Sequence, residues 1–318
     1  MNVRLTFGLV AVTVPALLAG CASATASGSS STTSASTTSA SRYPLTVAAS
    51  NGRITIGSRP GRIISLAPTM TEDLYAVGAG GQVVAVDADS NYPASAPRTS
   101  LSGLSPNLEA IAKYRPDLVV ASQDTGGLTS GLARLGVPVL IEPAVASLEG
   151  AYAQINQIGQ ATGHQVQAQR TVATMKSRIA ADVTRAGSSH KNLTYYFELS
   201  ASPYYSVTSR TFIGQIVGLF GLKNIADAAG KASDGGYPQL SQEYIVTARP
   251  QLIFLADNQS ADGGQSPAVV AQRPGWSAIP AVKDHGIIGL NDDIASRWGP
   301  RLPELIAQIA SAVERAAA

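Results

Sequence analysis

Cysteine is nearly missing from this 318-residue chain. Its one thiol, Cys21, rules out a disulfide framework and any multi-cysteine metal site. Histidine is almost as scarce: His164, His190 and His285 lie far apart, which gives no metal-ligand spacing and leaves little for acid–base chemistry. A zinc or manganese receptor would need clustered histidines and acids that are absent. Charged residues make up only 14% of the chain and the formal net charge is +2, so nothing marks nucleic acid as a partner. No Gly-x-Ser-x-Gly nucleophile elbow occurs, and no histidine stands in a recognisable catalytic setting, which leaves a hydrolase far behind a binding protein.

What is present begins at the N-terminus. Arg4 supplies a positive charge, Phe7 to Leu18 form an apolar run too short for a dependable membrane span, and Leu18-Ala19-Gly20-Cys21 resembles the bacterial lipobox. Cleavage there would leave Cys21 first and carrying lipid, and several acyl chains anchor stably where one does not. An ordinary signal peptide with an incidental cysteine is the plainer alternative. Residues 22–41 are only Ala, Ser, Thr and Gly. Such a segment cannot bury enough surface to fold, and as a coil it would span roughly 25 Å r.m.s..

From Tyr43 onward the pattern alternates strand and helix. Ile63 to Leu66, Val83 to Val86, Leu118 to Ala121 and Val137 to Ile141 read as buried strands, and Thr69-Met70-Thr71-Glu72 as a capping box opening a helix. This spacing predicts a parallel α/β lobe. Gln165 to Ala186 contains no Gly or Pro. Ala168, Val172, Met175, Ile179, Val183 and Ala186 fall on one face of it, predicting a helix of about 33 Å. Strands then resume at Thr194 to Leu199 and Ile287 to Leu290, and Leu302 to Ala317 reads as a terminal helix.

One unit occurs twice. Asn107-Leu108-Glu109, followed by Arg115-Pro116 and the strand from Leu118, is echoed by Ser241-Gln242-Glu243, Arg249-Pro250 and the strand from Leu252. In each copy a capping residue precedes the glutamate by two positions, and the Arg-Pro pair stops the helix. The copies flank the long helix. The implied organisation is a signal peptide (1–21), a tether (22–42), an N-terminal lobe (43–163), an inter-lobe helix (164–187) and a C-terminal lobe (188–318).

The run Ile63-Ile64-Ser65-Leu66-Ala67-Pro68-Thr69-Met70-Thr71-Glu72, the loop Asn91-Tyr92-Pro93 and both Glu-to-Pro units resemble the helical-backbone substrate-binding proteins of ABC importers. These carry cobalamin, ferric siderophores or haem, and the likeness is closest to the cobalamin branch. The resemblance implies two Rossmann-like α/β lobes with mainly parallel sheets, joined by one long backbone α-helix, with the ligand cleft between them. It implies no catalysis and no cofactor, only a bound metal chelate: cobalamin or a related corrinoid first, a ferric siderophore or haem second. The partners implied are an ABC permease dimer with its cytoplasmic ATPase, met by a monomer held by lipid on the outer face of a bacterial cytoplasmic membrane. Glu109 and Glu243 are the docking glutamates on this reading, although each would also complement its helix dipole. A surface adhesion lipoprotein that kept the fold and lost transport is a further alternative.

Ligands of α/β lobes sit at strand-end loops. Within the resemblance this nominates Tyr92, Gln123, Tyr204, Tyr205, Tyr237, Arg297 and Trp298. Aromatic faces suit a flat macrocycle, and phenols suit its amide rim. Gln123 stands where the best-known cobalamin binders have tryptophan, a departure from that branch. Arg297 would pair with an anionic chelate, or else form a surface ion pair with Asp292 or Asp293. Tyr204, Tyr205 and Trp276 fit core or rim positions equally well.

Overall fold

The computed structural model describes residues 43–187, 192–259 and 264–317. Cys21, the 22–42 segment, His190 and most of the Asp262 to Gly264 loop lie outside the described residues.

The chain enters through an antiparallel hairpin, β1 (Leu45–Ala49) and β2 (Gly52–Ile56). It then builds β3 (Ile63–Ser65), α1 (Pro68–Ala76), β4 (Val83–Asp87), β5 (Arg98–Leu101), α2 (Leu108–Lys113), β6 (Leu118–Ala121), α3 (Leu128–Ala133) and β7 (Val139–Ile141). These strands make a parallel sheet in the order β5-β4-β3-β6-β7. The apolar runs of β3, β4, β6 and β7 are buried because helices cover the sheet, while the edge strand β5, Arg98-Thr99-Ser100-Leu101, is largely exposed.

Two helices follow. α4 (Leu148–Thr162) ends on the left-handed Gly163, and α5 (Gln165–Ala186) runs its full expected length. They pack closely: a Cβ on Gly159 would sit 2.3 Å from that of Ala168. The face with Ala168, Val172, Met175, Ile179 and Ala186 is buried as the periodicity requires.

The second lobe runs β8 (Thr194–Glu198), β9 (Ser200–Ala201), β10 (Tyr204–Tyr205), α6 (Phe212–Gly218), β11 (Lys223–Asn224), α7 (Gln242–Ala248), β12 (Leu252–Leu255), α8 (Pro267–Ala271), α9 (Pro280–Lys283), β13 (Ile287–Gly289), α10 (Asp292–Ser296) and α11 (Leu302–Ala317). Its parallel sheet has the order β11-β8-β12-β13. α5 lies against α4 on one side and α11 on the other, which makes it the shared helix of both lobes.

The repeated unit occupies equivalent places. β6 pairs directly with β3, the first strand of its sheet, and β12 pairs directly with β8. In each sheet the strand order reverses there, at the switch point where α/β folds open a crevice beyond the strand ends.

Candidate binding cleft

Each repeat builds its glutamate in the same way. The Asn107 side chain accepts from Ala110 N–H (2.9 Å), and Ser241 Oγ accepts from Tyr244 N–H (3.1 Å). Both helices end at a left-handed arginine, Arg115 with φ 47° and Arg249 with φ 50°, just before the proline that forbids another turn. Glu109 and Glu243 thus stand exposed in first turns, and among the described residues neither pairs with a cation. Hydrogen bonds from its own N–H and from the Ser241 hydroxyl hold the Glu243 carboxyl below the usual carboxylate range.

Three of the expected ligand residues come together in the second lobe. Tyr205 bridges Gln239, Leu240 N–H donates to Tyr204 C=O, and Ser206 N–H donates to Pro238 C=O. This ladder ties Tyr204 and Tyr205 to the Tyr237 loop, leaving Tyr205 40% and Tyr237 49% exposed. Tyr204 faces the other way. It packs on Trp276 (centroids 5.9 Å apart) and under the Arg273 guanidinium, which forks onto the buried Glu198 at 2.6 and 2.7 Å. Trp276 is fully buried. Tyr204 and Trp276 are therefore packing residues, while Tyr205 and Tyr237 keep exposed rings.

Tyr92, Arg297 and Trp298 form a second group where the segment between α10 and α11 meets the first lobe. Arg297 is neither a surface residue nor a free cation. It is 8% exposed, and its guanidinium donates to Glu72 Oε1 (2.7 Å), to Asp293 Oδ1 (2.8 Å) and to the Asp89 carbonyl (3.4 Å). The pairing with Asp293 was one of the expected alternatives, but only its arginine end is buried and the second partner is Glu72. Arg301 forks onto the same Glu72 at 2.5 and 2.8 Å while its guanidinium lies 4.2 Å over the Tyr92 ring. Asn91 completes the crossing by donating to Asp293 Oδ2 (2.7 Å). Tyr92 itself is 45% exposed. Trp298 is half-buried against the core, with its indole N–H given to Gln154 Oε1 at 2.8 Å.

Glu72 is the residue that sequence reasoning misplaced. The Thr69–Glu72 capping box does not form: α1 starts with Pro68 after Ala67, with no side-chain cap. Thr71 bonds Ser65 Oγ (2.8 Å) and Ser90 Oγ (2.7 Å) beneath the site, and Glu72, 1% exposed, turns to the arginines. The signal available was the pair Arg297 and Arg301, four residues apart, which requires a buried acid from elsewhere. Behind Glu72 lie two further carboxyls. Burial, then the charges of Glu72 and Glu142, push Asp73 well up, and burial pushes Glu142 up to about 7.

Gln123 sits apart on the exposed loop after β6, which rests on the loop leading to α2 through Thr125 Oγ1 to Gly103 C=O (3.2 Å). A groove of about 490 Å³ lies elsewhere, between β13 and α11, lined by Asn258, Gln259, Gln308, Ser311 and Arg315. It holds none of the tyrosines, so topology and side-chain chemistry favour the strand-end loops.

Comparison with known proteins agrees with this architecture. Residues 63–294 match the family described as periplasmic binding protein. A Bacillus subtilis protein named as an uncharacterized ABC transporter substrate-binding lipoprotein, YvrC, is 30% identical over 280 residues, covering 85% of this chain and 86% of its own. A vitamin B12-binding protein of Pectobacterium carotovorum is 31% identical over 259 residues, covering 79% and 88%. Among solved structures, the periplasmic vitamin B12-binding protein BtuF of Vibrio cholerae matches with a TM-score of 0.66 at 25% identity, covering 81% and 98%. The periplasmic heme-binding protein RhuT from Roseiflexus matches with a TM-score of 0.68 at 25% identity, covering 81% and 99%. With its two parallel sheets, shared long helix and these relatives, the chain belongs to the periplasmic binding protein family.

Proposed function

We propose that this protein is a lipid-anchored extracytoplasmic receptor that captures a corrinoid between its lobes and hands it to an ABC permease. The carrying observation is the doubled unit. Two exposed glutamates stand in first turns of equivalent helices, each leading into the strand beside its sheet's switch point. A permease dimer that offers a cation on each half would meet one glutamate per lobe. The N-terminal lipid on Cys21 would keep the receptor near that partner, and the binding step alters no bond in the ligand.

The choice of a neutral corrinoid rests on the wall chemistry. Exposed Tyr92, Tyr205 and Tyr237 offer flat apolar faces with phenol hydroxyls, matching a macrocycle rimmed by amides. The arginines best placed for an anionic chelate, Arg297 and Arg301, are matched by Glu72 and Asp293. Ferric-siderophore or haem capture is the second reading. It is supported by the likeness to RhuT and by Arg98, an exposed guanidinium donating to Asn91 C=O at 3.2 Å.

The test separates docking from binding. Replacing Glu109 and Glu243 together by Ala should leave cyanocobalamin affinity unchanged and abolish cobalamin uptake in cells that depend on this receptor. Retained uptake would contradict the docking role.

A further inference from the structure

The Glu72 cluster suggests how this cleft sorts ligands by charge. Glu72 comes from α1 of the first lobe, yet both of its oxygens are taken by arginines of the segment between α10 and α11 in the second. A guanidinium cannot shed its proton, so two of them held in a half-buried wall leave a net positive charge there unless anions offset it. Glu72 and Asp293 match them one for one. Among the other acids, burial raises the pKa of Asp73, Glu142 and Asp87, and Glu304 attracts Arg301 less strongly than Glu72 does. Arg98 is exposed, where solvent weakens its pull on a bound anion. Arg301 meanwhile covers the ring of the exposed Tyr92, so the matched cation is one side chain away from the ligand surface.

We infer that Glu72 is a specificity-determining positioning residue: together with Asp293 it offsets the charge of Arg297 and Arg301 and biases the cleft toward uncharged chelates over anionic ones. It touches no ligand itself and acts through the two arginines and, by way of Arg301, through the orientation of Tyr92. This rests on the strand-end loops being the ligand site, as proposed above.

The experiment compares cyanocobalamin, neutral overall, with haemin, whose propionates are anionic, by calorimetry at neutral pH on the wild-type chain and three variants. In Glu72→Gln the arginines lose their shared anion, and the affinity ratio should move toward haemin by about tenfold or more, the worth of one charge-assisted contact. That gain should fade with added salt. Asp293→Asn, at the rim with its side chain 39% exposed, should move the ratio the same way and carries less risk to folding. Glu72→Gln combined with Arg301→Gln restores the charge balance and should return the ratio to its wild-type value. A purely structural role would weaken both ligands alike. Equal shifts, or a ratio that stays fixed in both single variants, would overturn the inference. Wild-type protein that fails to bind cyanocobalamin would instead sink the corrinoid reading, and a haemin gain in Glu72→Gln would still stand.

Discussion

Glu142 offers a test of the lobe junction that needs no ligand. It follows β7 almost without solvent contact, and one of its oxygens, Oε1, has no hydrogen-bond partner, as is also true of Asp73 Oδ1. Burial raises its pKa from the ordinary 4.5 to about 7, against a smaller opposing effect from the Gln154 hydrogen bond. The sign follows directly. The unfolded chain releases this proton near 4.5 and the folded one near 7, so the folded state binds more protons in between. Its contribution is therefore fully present below about pH 4.5, declines as pH rises toward 7, and is flat above. The separation corresponds to at most about 3 kcal/mol. Glu142→Gln imitates the protonated form. Urea unfolding from pH 5 to 8 should show the variant close to wild type at the acid end and more stable by roughly 2 kcal/mol at pH 8. Asp257 also titrates near 7, so the difference between the two proteins, rather than either curve alone, isolates Glu142. Parallel curves, or a variant less stable at pH 8, would refute the reasoning.

Other outcomes follow from the same geometry. Arg273→Ala strands the fully buried Glu198 without its fork and should cost about 3–5 kcal/mol, lowering the thermal midpoint by on the order of 10 °C. Asn107→Ala removes the cap of α2 and should cost only about 1 kcal/mol in urea unfolding, with cyanocobalamin affinity unchanged. Tyr92→Ala, by contrast, should weaken cyanocobalamin binding about tenfold while shifting the melting midpoint little, because the ring is exposed on one side.

The sequence shows most plainly what is local. Caps at Asn107 and Ser241, the stop before Pro116 and Pro250, and the face of α5 depend on neighbours within a few residues, and all appear where pattern places them. The Thr69–Glu72 box has the right local pattern and still does not form, because two arginines more than two hundred residues away compete for the carboxylate and win. Tyr204 misleads for a related reason. Its place after a strand suggests a cleft residue, but Arg273 and Trp276, brought by a distant segment, enclose it. Arg297 was legible both as a functional candidate and as a partner of Asp293; what the sequence hid is Glu72, which reaches it across the lobes. The short strands β9, β10 and β11, two residues each, carry too little sequence to show any period.

The central claim, a receptor whose cleft prefers a neutral corrinoid, is tested most directly by calorimetric titration of the purified protein with cyanocobalamin, haemin and a ferric tris-catecholate under one set of conditions. The account predicts that cyanocobalamin binds below about 10 μM, equivalent to roughly −7 kcal/mol, and tighter than either anionic chelate. Binding of haemin or the catecholate in preference to cyanocobalamin would contradict it.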